Sequence, residues 1–153
     1  MSQLTVARAT QADSADLFAW RNDPQTRAVS LNTDEVAWAD HERWFAASLE
    51  NPRRVIYLVR DGANAIGMIR FDIDEAGERA EVSINLNPNA RGKGFGTRTL
   101  IAGLEQFAVD RPDLRGTTAQ IRSTNAPSIA IFTKAGYELT DTIDGVGQYV
   151  LDR

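Results

Sequence analysis

A short glycine-rich stretch, Arg91-Gly92-Lys93-Gly94-Phe95-Gly96-Thr97, constrains this chain more than any other feature. The alternating run from Ala80 to Leu86 precedes it and predicts a strand. Apolar residues at helical spacing follow it, at positions 100, 101, 104, 107 and 108, and predict an amphipathic helix. The glycines therefore lie where a strand leads into a helix. There the first backbone N–H groups lack partners and carry the positive end of the helix dipole.

The spacing of the glycines indicates a site for a phosphate-bearing ligand. Glycine lets N–H groups turn toward a ligand and lets phosphate oxygens approach closely. Arg91, Lys93 and Arg98 add positive charge around them. The P-loop pattern Gly-x-x-x-x-Gly-Lys-Ser/Thr is absent. The dinucleotide pattern Gly-x-Gly-x-x-Gly fits poorly, because these glycines alternate and occur late in the chain.

Composition excludes several classes of protein. With 153 residues, 42% of them hydrophobic and 25% charged, the chain is predicted to form one soluble domain, 1–153. A net charge of −4 argues against nucleic-acid or membrane binding. Cysteine is absent and His41 is the single histidine, so we expect no disulfide and no metal site. No targeting or membrane-spanning pattern is present, so we expect a cytoplasmic protein. We expect it to be a monomer or a homodimer.

The hydrophobic pattern of the first third predicts one strand and two helices. We expect a strand from Leu4 to Arg8. A helix capped by Asp13 or Ser14 should follow and run toward Asn22, where Pro24 ends it. A loop is expected from Gln25 to Asn32. Thr33 is then expected to cap a second helix that stops before Asn51 and Pro52.

From Arg54 onward apolar residues recur at every second position. This pattern predicts a meander of three antiparallel strands leading into the glycine stretch. After the loop helix we expect a fifth strand, a last helix capped by Asn125 and ended by Gly136, and two closing strands. The predicted order is β-α-α-β-β-β-α-β-α-β-β. It describes an α/β (α+β) domain with a mixed, mostly antiparallel central sheet flanked by four helices. The predicted strands are Val55 to Arg60, Ile66 to Asp74, Glu78 to Leu86, Thr117 to Arg122, Tyr137 to Ile143 and Gln148 to Leu151.

Two motifs in the second half resemble those of the GNAT acetyltransferase superfamily. The stretch from Arg91 to Gly96 reads as Arg/Gln-x-x-Gly-x-Gly/Ala, which resembles the acetyl-CoA loop of that family. The segment Asn125-x-x-Ser128-x-x-x-Phe132-x-x-x-Gly136-Tyr137 resembles its Asn-x-x-Ala-x-x-x-Tyr-x-x-x-Gly-Phe signature. The two motifs lie in their expected elements and order, which is far more specific than either motif alone. The resemblance covers essentially the whole chain, and the predicted element order is also that of GNAT domains.

The first third is similar to one branch of this superfamily. Trp20-Arg21-Asn22-Asp23-Pro24 and His41-x-x-Trp44-Phe45 resemble ribosomal-protein N-terminal, spermidine and nucleotide-amino-sugar acetyltransferases, most closely the amino-sugar enzymes. The resemblance implies transfer of an acetyl group from acetyl-CoA, as co-substrate, to a primary amine of a nucleotide-linked amino sugar or another small amine. One alternative is a protein N-terminal acetyltransferase that takes a peptide N-terminus. Another is a non-catalytic acyl-CoA-binding module, since function does not follow from fold.

The resemblance also assigns roles to residues. It places the acceptor between the two early helices and the end of the meander, near Asn22, His41, Trp44 and Asn85. Glu81 is the candidate general base, because burial would raise its pKa toward neutrality. Pantetheine is implied along the strand and pyrophosphate on the loop. The implied cofactor-binding residues are Ile84, Leu86, Arg91, Gly92, Lys93, Gly94, Phe95, Gly96, Thr97, Asn125 and Phe132.

Several of these residues have a structural alternative. Glu81 is also suited to be a cross-strand charge partner of Arg70 or Arg79. His41, on an aromatic helical face, is also suited to simple packing, which we favour slightly. Asn125 is suited to cap its helix, and one side chain can serve both roles.

Aromatic residues raise two further expectations. We expect Trp20, Trp38 and Trp44 to belong to the core rather than to a sugar-stacking platform. Phe132 occupies the position where the family commonly carries a tyrosine that can protonate the departing thiolate. Because an unperturbed thiol has a pKa of only about 8.5, we expect an active enzyme that works with a water or with no acid.

Overall fold

The computed structural model describes residues 4–153. Within that range one sheet of seven strands is flanked by five helices. The strands are β1 (Leu4–Arg8), β2 (Arg54–Asp61), β3 (Asn64–Ile73), β4 (Arg79–Leu86), β5 (Gly116–Arg122), β6 (Glu138–Ile143) and β7 (Val146–Asp152). The helices are α1 (Ser14–Asn22), α2 (Pro24–Val29), α3 (Trp38–Glu50), α4 (Phe95–Asp110) and α5 (Ala126–Lys134). In the described part of the chain, no helix is long and apolar enough to cross a membrane.

The sheet has the order β1-β2-β3-β4-β5-β7-β6, and every neighbouring pair is antiparallel except β4 and β5. The parallel pairing is short, because only Arg79–Glu81 of β4 pairs with Gly116–Thr118 of β5. Beyond these residues β4 keeps β3 as its partner and β5 keeps β7. Positions 82–86 therefore have no strand partner on the β5 side within the described residues. The gap between β4 and β5 starts beyond the paired residues, and we call this gap the wedge. Its closed end is where β4 and β5 pair, and its open end is where the two strands finish.

The two faces of the sheet carry separate apolar clusters. The larger cluster lies against α4 and α5, where Phe71 and Phe107 stack with ring centroids 4.0 Å apart. The smaller cluster lies against α1 and α3 and includes Trp20, Phe45 and Met68. Because side chains alternate along a strand, β4 contributes to both faces. Ala80, Val82 and Ile84 face α4, so Glu81, Ser83 and Asn85 face the α1–α3 side.

The predicted strands and the four predicted helices are confirmed as β1 to β7, α1, α3, α4 and α5. The predicted loop from Gln25 to Asn32 is wrong, because α2 forms there. Asp23 accepts the Thr26 N–H at 3.0 Å and Pro24 occupies the first turn, which is a helix start rather than only a helix end.

The predicted start of the second helix at Thr33 is also wrong. The helix begins at Trp38, because the N–H and C=O groups of Val36 are both bonded to the side chain of Asn22 at 2.8 Å. The Val36 carbonyl therefore accepts from Asn22 instead of from a helical N–H group, and Ala37 is the extended N-cap. Trp38 is 46% exposed, which corrects its expected place in the core.

Candidate active site

The glycine stretch lies between β4 and α4, at the open end of the wedge. The N-cap of α4 is Gly94, which has no side chain to accept the first N–H groups of the helix. Gly92 and Gly94 have φ angles of 74° and 78°, in the left-handed region that favours glycine. A Cβ at either position would meet no other atom within 4 Å. Among the described residues, no side chain caps the first N–H groups of α4.

Gly96 serves a different purpose from the other two glycines. A Cβ there would overlap the Cδ1 atom of Ile131 on α5 and lie 3.1 Å from its Cγ1 atom. It would also lie 3.6 Å from Leu86. Gly96 therefore allows α4 to pack closely against α5 and β4, a role that the sequence reading did not distinguish from phosphate approach.

Arg91 connects the glycine stretch to α2. Its guanidinium donates to Asp23 at 2.5 Å, to Thr26 at 2.6 Å and to Gln25 at 3.1 Å. The hydrogen bond from Arg91 is the largest cause of the lowered pKa of Asp23. The side chain of Arg91 is therefore engaged within the protein, whereas Lys93 beside it is exposed.

A second arginine, which the sequence reading missed, holds the other end of the same segment. Arg122, the last residue of β5, donates to the carbonyl oxygens of Ser30 at 2.7 Å and Leu31 at 2.9 Å. Because Arg91 follows β4 and Arg122 ends β5, the segment 23–31 crosses the open end of the wedge. We call this segment the α2 bridge. Asn22, predicted to bind substrate, precedes the α2 bridge. Its side chain is hydrogen-bonded to the backbone of Val36, which follows the bridge.

Glu81 lies at the closed end of the wedge, on the α1–α3 side. Gln120 of β5 donates to its carboxylate at 3.0 Å. Burial and then the negative charge of Asp72 raise the pKa of Glu81, and the opposing effects of Arg70 and Gln120 are smaller. A raised pKa suits a carboxylate to accept a proton near neutral pH. Glu81 also lines a cavity of about 480 Å³ whose other walls include Arg54, Asp72 and Thr118.

Next to Glu81, two arginines share one carboxylate and one indole ring. Asp72 binds Arg54 at 2.6 Å and Arg70 at 2.9 Å, one through each oxygen. The two guanidinium groups lie 5.5 Å and 5.4 Å from the ring centroid of Trp44, within cation–π range. Trp44, predicted to bind substrate, is half-buried and lies on the same side of the sheet as Glu81.

His41 is buried in α3, at 2% exposure, and stacks on Phe45 with centroids 5.7 Å apart. Its Nε2 atom lies 3.0 Å from the carbonyl oxygen of Ser14. A carbonyl only accepts, so this contact assigns the proton to Nε2. Burial is the largest cause of the lowered pKa of His41, which keeps the ring neutral at pH 7. His41 also lines a cavity of about 210 Å³, with Arg21 and Trp44 among the other walls.

The remaining predicted residues lie around the wedge. Asn125 accepts the Ser128 N–H at 3.3 Å, which confirms its predicted cap. Phe132 is buried and meets Tyr137 edge-on, with centroids 5.0 Å apart. The Tyr137 hydroxyl is hydrogen-bonded to Thr117 at 2.5 Å, and burial raises its pKa to about 12. That hydroxyl is thus engaged inside the core. The other predicted residues on β4 or at the start of α4 are Ile84, Asn85, Leu86, Phe95 and Thr97.

Residues 3–138 match the family model described as Acetyltransferase (GNAT) domain. The chain belongs to this family, which confirms the predicted family and fold. It is accordingly an N-acetyltransferase that uses acetyl-CoA.

Known proteins support this placement. A Bacillus subtilis (strain 168) protein provisionally named phosphinothricin acetyltransferase YwnH is 28% identical over 80% of this chain and 76% of its own. The L-methionine sulfoximine/L-methionine sulfone acetyltransferase of Pseudomonas paraeruginosa is 25% identical over 94% of this chain and 86% of its own. Among solved structures, spermidine N-acetyltransferase from Vibrio cholerae, in complex with CoA and spermine, superposes with a TM-score of 0.85. That match has 18% identity and covers 98% of this chain and 95% of the other.

Proposed function

We propose that this protein transfers the acetyl group of acetyl-CoA to the primary amine of a small molecule, with Glu81 as the general base. One observation carries this proposal. The wedge between β4 and β5 has unpartnered α4 N–H donors at its open end and a carboxylate of raised pKa at its closed end. Anion binding and proton acceptance are the two properties that acetyl transfer from CoA to an ammonium group needs.

The features of the open end fit a CoA molecule. The N–H groups of Phe95, Gly96 and Thr97 would hold its pyrophosphate, because Gly94 leaves them uncapped. The unpaired edge of β4 from Ile84 to Leu86 would lie along its pantetheine arm. When bound, CoA supplies the acetyl thioester.

The closed end supplies the base. Glu81 takes a proton from the acceptor ammonium, directly or through a water. The acceptor nitrogen then forms an amide bond while the thioester C–S bond breaks, so the products are an acetamide and free CoA. Phe132 cannot protonate the departing sulfur. The reaction does not require it to, since a thiolate with a pKa of about 8.5 is a tolerable leaving group.

The structure favours a small acceptor over a peptide. The α2 bridge is attached at both ends, by Arg91 and by Arg122, and it crosses the place where an extended peptide would leave the wedge. The cavity that Glu81 lines measures about 480 Å³, within the size range of small-molecule sites. Relatives named for phosphinothricin and methionine sulfone also take small amines, which supports the same class here. A nucleotide-linked amino sugar remains within this class.

An acceptor screen tests the proposal. Acetyl-CoA and the purified protein are combined with peptides, polyamines, aminoglycosides, amino acids and nucleotide-linked amino sugars, and a thiol reagent measures released CoA. We expect amine-dependent release with at least one small amine and none with the peptides. Preferential release with peptides would favour the N-terminal acetyltransferase alternative. Tight acetyl-CoA binding without release for any amine would favour the non-catalytic binding module.

A further inference from the structure

Arg21 is a half-buried cation that has no charge partner among the described residues. It lies near the end of α1 and lines the 210 Å³ cavity together with His41 and Trp44. Among residues 4–153 no hydrogen bond or salt bridge reaches its guanidinium. Burial lowers the pKa of Arg21, and the nearby positive charge of Arg70 lowers it further. A guanidinium in such a position is stabilised by an anion that comes from outside the chain.

Arg70 has further donors close by, beside the Trp44 ring that borders this cavity. Its Nε atom binds Asp72 at 2.9 Å, and its Nη2 atom has only a long 3.5 Å contact with Ser83. Within the described residues, its Nη1 atom makes no hydrogen bond. The guanidinium lies over Trp44, whose ring also borders the cavity of Arg21. Trp44 thus contacts Arg70 and borders the cavity that Arg21 lines, and both guanidinium groups have unused donors.

The carboxylates nearby do not neutralise these arginines. Asp40 lines the same cavity but is 64% exposed and paired with Arg43 on the outer surface of α3. Asp72 is shared between Arg54 and Arg70. Glu81 adds a carboxylate near Arg70, so Arg21 is the arginine of this group that has no carboxylate partner among the described residues.

We propose that Arg21 and Arg70 bind a carboxylate of the acceptor, beside Trp44, so that the acceptor is a small amino acid. This inference rests on the proposed function. The planar guanidinium fork matches a carboxylate in two parallel hydrogen bonds. Arg70 lies directly opposite Ser83 in the β3–β4 register. It is therefore one diagonal step, roughly 7–8 Å, from Glu81.

This spacing orients the acceptor. A carboxylate on Arg70 with an amine on the adjacent carbon leaves that amine on the Glu81 side, where its proton can be taken. The same charges exclude other acceptors, because a polyamine would bring more positive charge to Arg21 and Arg70. The two arginines therefore determine specificity and position the acceptor, while Glu81 performs the proton transfer.

The experiment compares two matched probes, L-methionine sulfone and its neutral carboxamide, and adds spermidine and a UDP-linked amino sugar. Steady-state kinetics with acetyl-CoA gives KM and kcat for each acceptor, and calorimetry gives binding of the two matched probes in the absence of acetyl-CoA. The variants are Arg21→Met, which keeps length without charge, and Arg21→Lys, which keeps charge without the fork. Arg115→Gln serves as control, since Arg115 is an exposed arginine paired with Glu78 elsewhere on the surface.

We expect wild type and Arg115→Gln to bind methionine sulfone about tenfold or more tightly than the carboxamide. Arg21→Met should lose this preference through KM with kcat little changed, and Arg21→Lys should retain part of it. Equal affinity for the two probes, or preference for spermidine, overturns the proposal. Preference for the UDP-linked amino sugar that Arg21→Met abolishes identifies phosphate as the anion and overturns the carboxylate assignment. Binding of methionine sulfone without acetyl transfer to any amine supports the anion site and refutes the proposed function.

Discussion

The proposed function uses two parts of the wedge that would bind their ligands by different means, the open end (the cofactor side) and the α1–α3 side around Glu81 (the acceptor side). The cofactor side offers backbone N–H groups at the start of α4, held in place by two glycines with positive φ. The acceptor side offers side chains from different elements, such as Arg21 of α1, Trp44 of α3 and Glu81 of β4. A backbone site depends on local geometry and fits any ligand with the same phosphate group. A side-chain site depends on which residues meet in space, so it is where specificity arises.

The largest expected effect is on the acceptor side, at the base. Glu81→Gln keeps the shape of the side chain but removes its basicity, so kcat should fall about a hundredfold with KM for acetyl-CoA nearly unchanged. Stopped assays across a range of pH should also lose the rise in rate near neutrality. Glu78→Gln, at an exposed glutamate before β4, is the control and should leave kcat unchanged. An unaltered pH–rate profile in Glu81→Gln would place the base elsewhere.

A substitution of His41 tests whether this residue of the acceptor side stabilises the fold. His41→Ala removes a buried ring and its hydrogen bond to the Ser14 carbonyl, so the free energy of unfolding should fall by about 2 kcal/mol. Urea denaturation measures this. Arg43→Ala, on the exposed face of the same helix, should change it by less than about 0.5 kcal/mol. A raised acceptor KM at unchanged stability would instead assign His41 to substrate contact.

The lowered pKa of His41 adds a dependence on pH. The unfolded chain binds the proton more readily than the folded one, so stability should be lost as pH falls below the unfolded histidine pKa of about 6.5. The part of this loss due to His41 should be absent in His41→Gln.

The cofactor side is tested by Gly94→Glu, which brings both a strained φ and a carboxylate to the α4 N-cap. We expect CoA affinity to fall tenfold or more, a loss of about 1.4 kcal/mol at least. Lys93→Ala should have a smaller effect, because the site consists mainly of backbone donors. Calorimetry showing unchanged CoA binding in a folded Gly94→Glu protein would refute the assignment of this loop.

A smaller effect, on the pH dependence of kcat, is expected for a substitution of Gln120 at the closed end of the wedge. Gln120 donates to the ionised form of Glu81 and so lowers its pKa. In Gln120→Ala the pKa of Glu81 should rise, and the increase of kcat with pH should occur at higher pH. A profile that moves to lower pH would show that Glu81 is not the group being titrated.

The smallest expected effect is at Phe132. Phe132→Tyr should raise kcat by a modest factor or leave it unchanged, because the residues around this buried ring do not orient a hydroxyl. Steady-state kinetics on the best acceptor measures it. Inactivity of the wild type toward every amine, together with activity in Phe132→Tyr, would favour the binding-module alternative.

The sequence alone determined the features that depend on neighbours along the chain. Alternation predicted the strands, the glycine spacing predicted the loop before α4, and the Asn125 cap was predicted from its position before Pro127. Such features follow from short-range sterics and hydrogen bonding, which residue types reveal directly.

The tertiary structure decided the features that depend on distant partners. It showed that Gly96 packs against Ile131 rather than only admitting phosphate, and that Asn22 and Arg91 are used to hold the α2 bridge. It also placed Trp44 beside both Arg70 and the cavity that Arg21 lines. No local pattern indicates these contacts, because each joins residues that lie far apart in the chain and meet only when the sheet and helices pack.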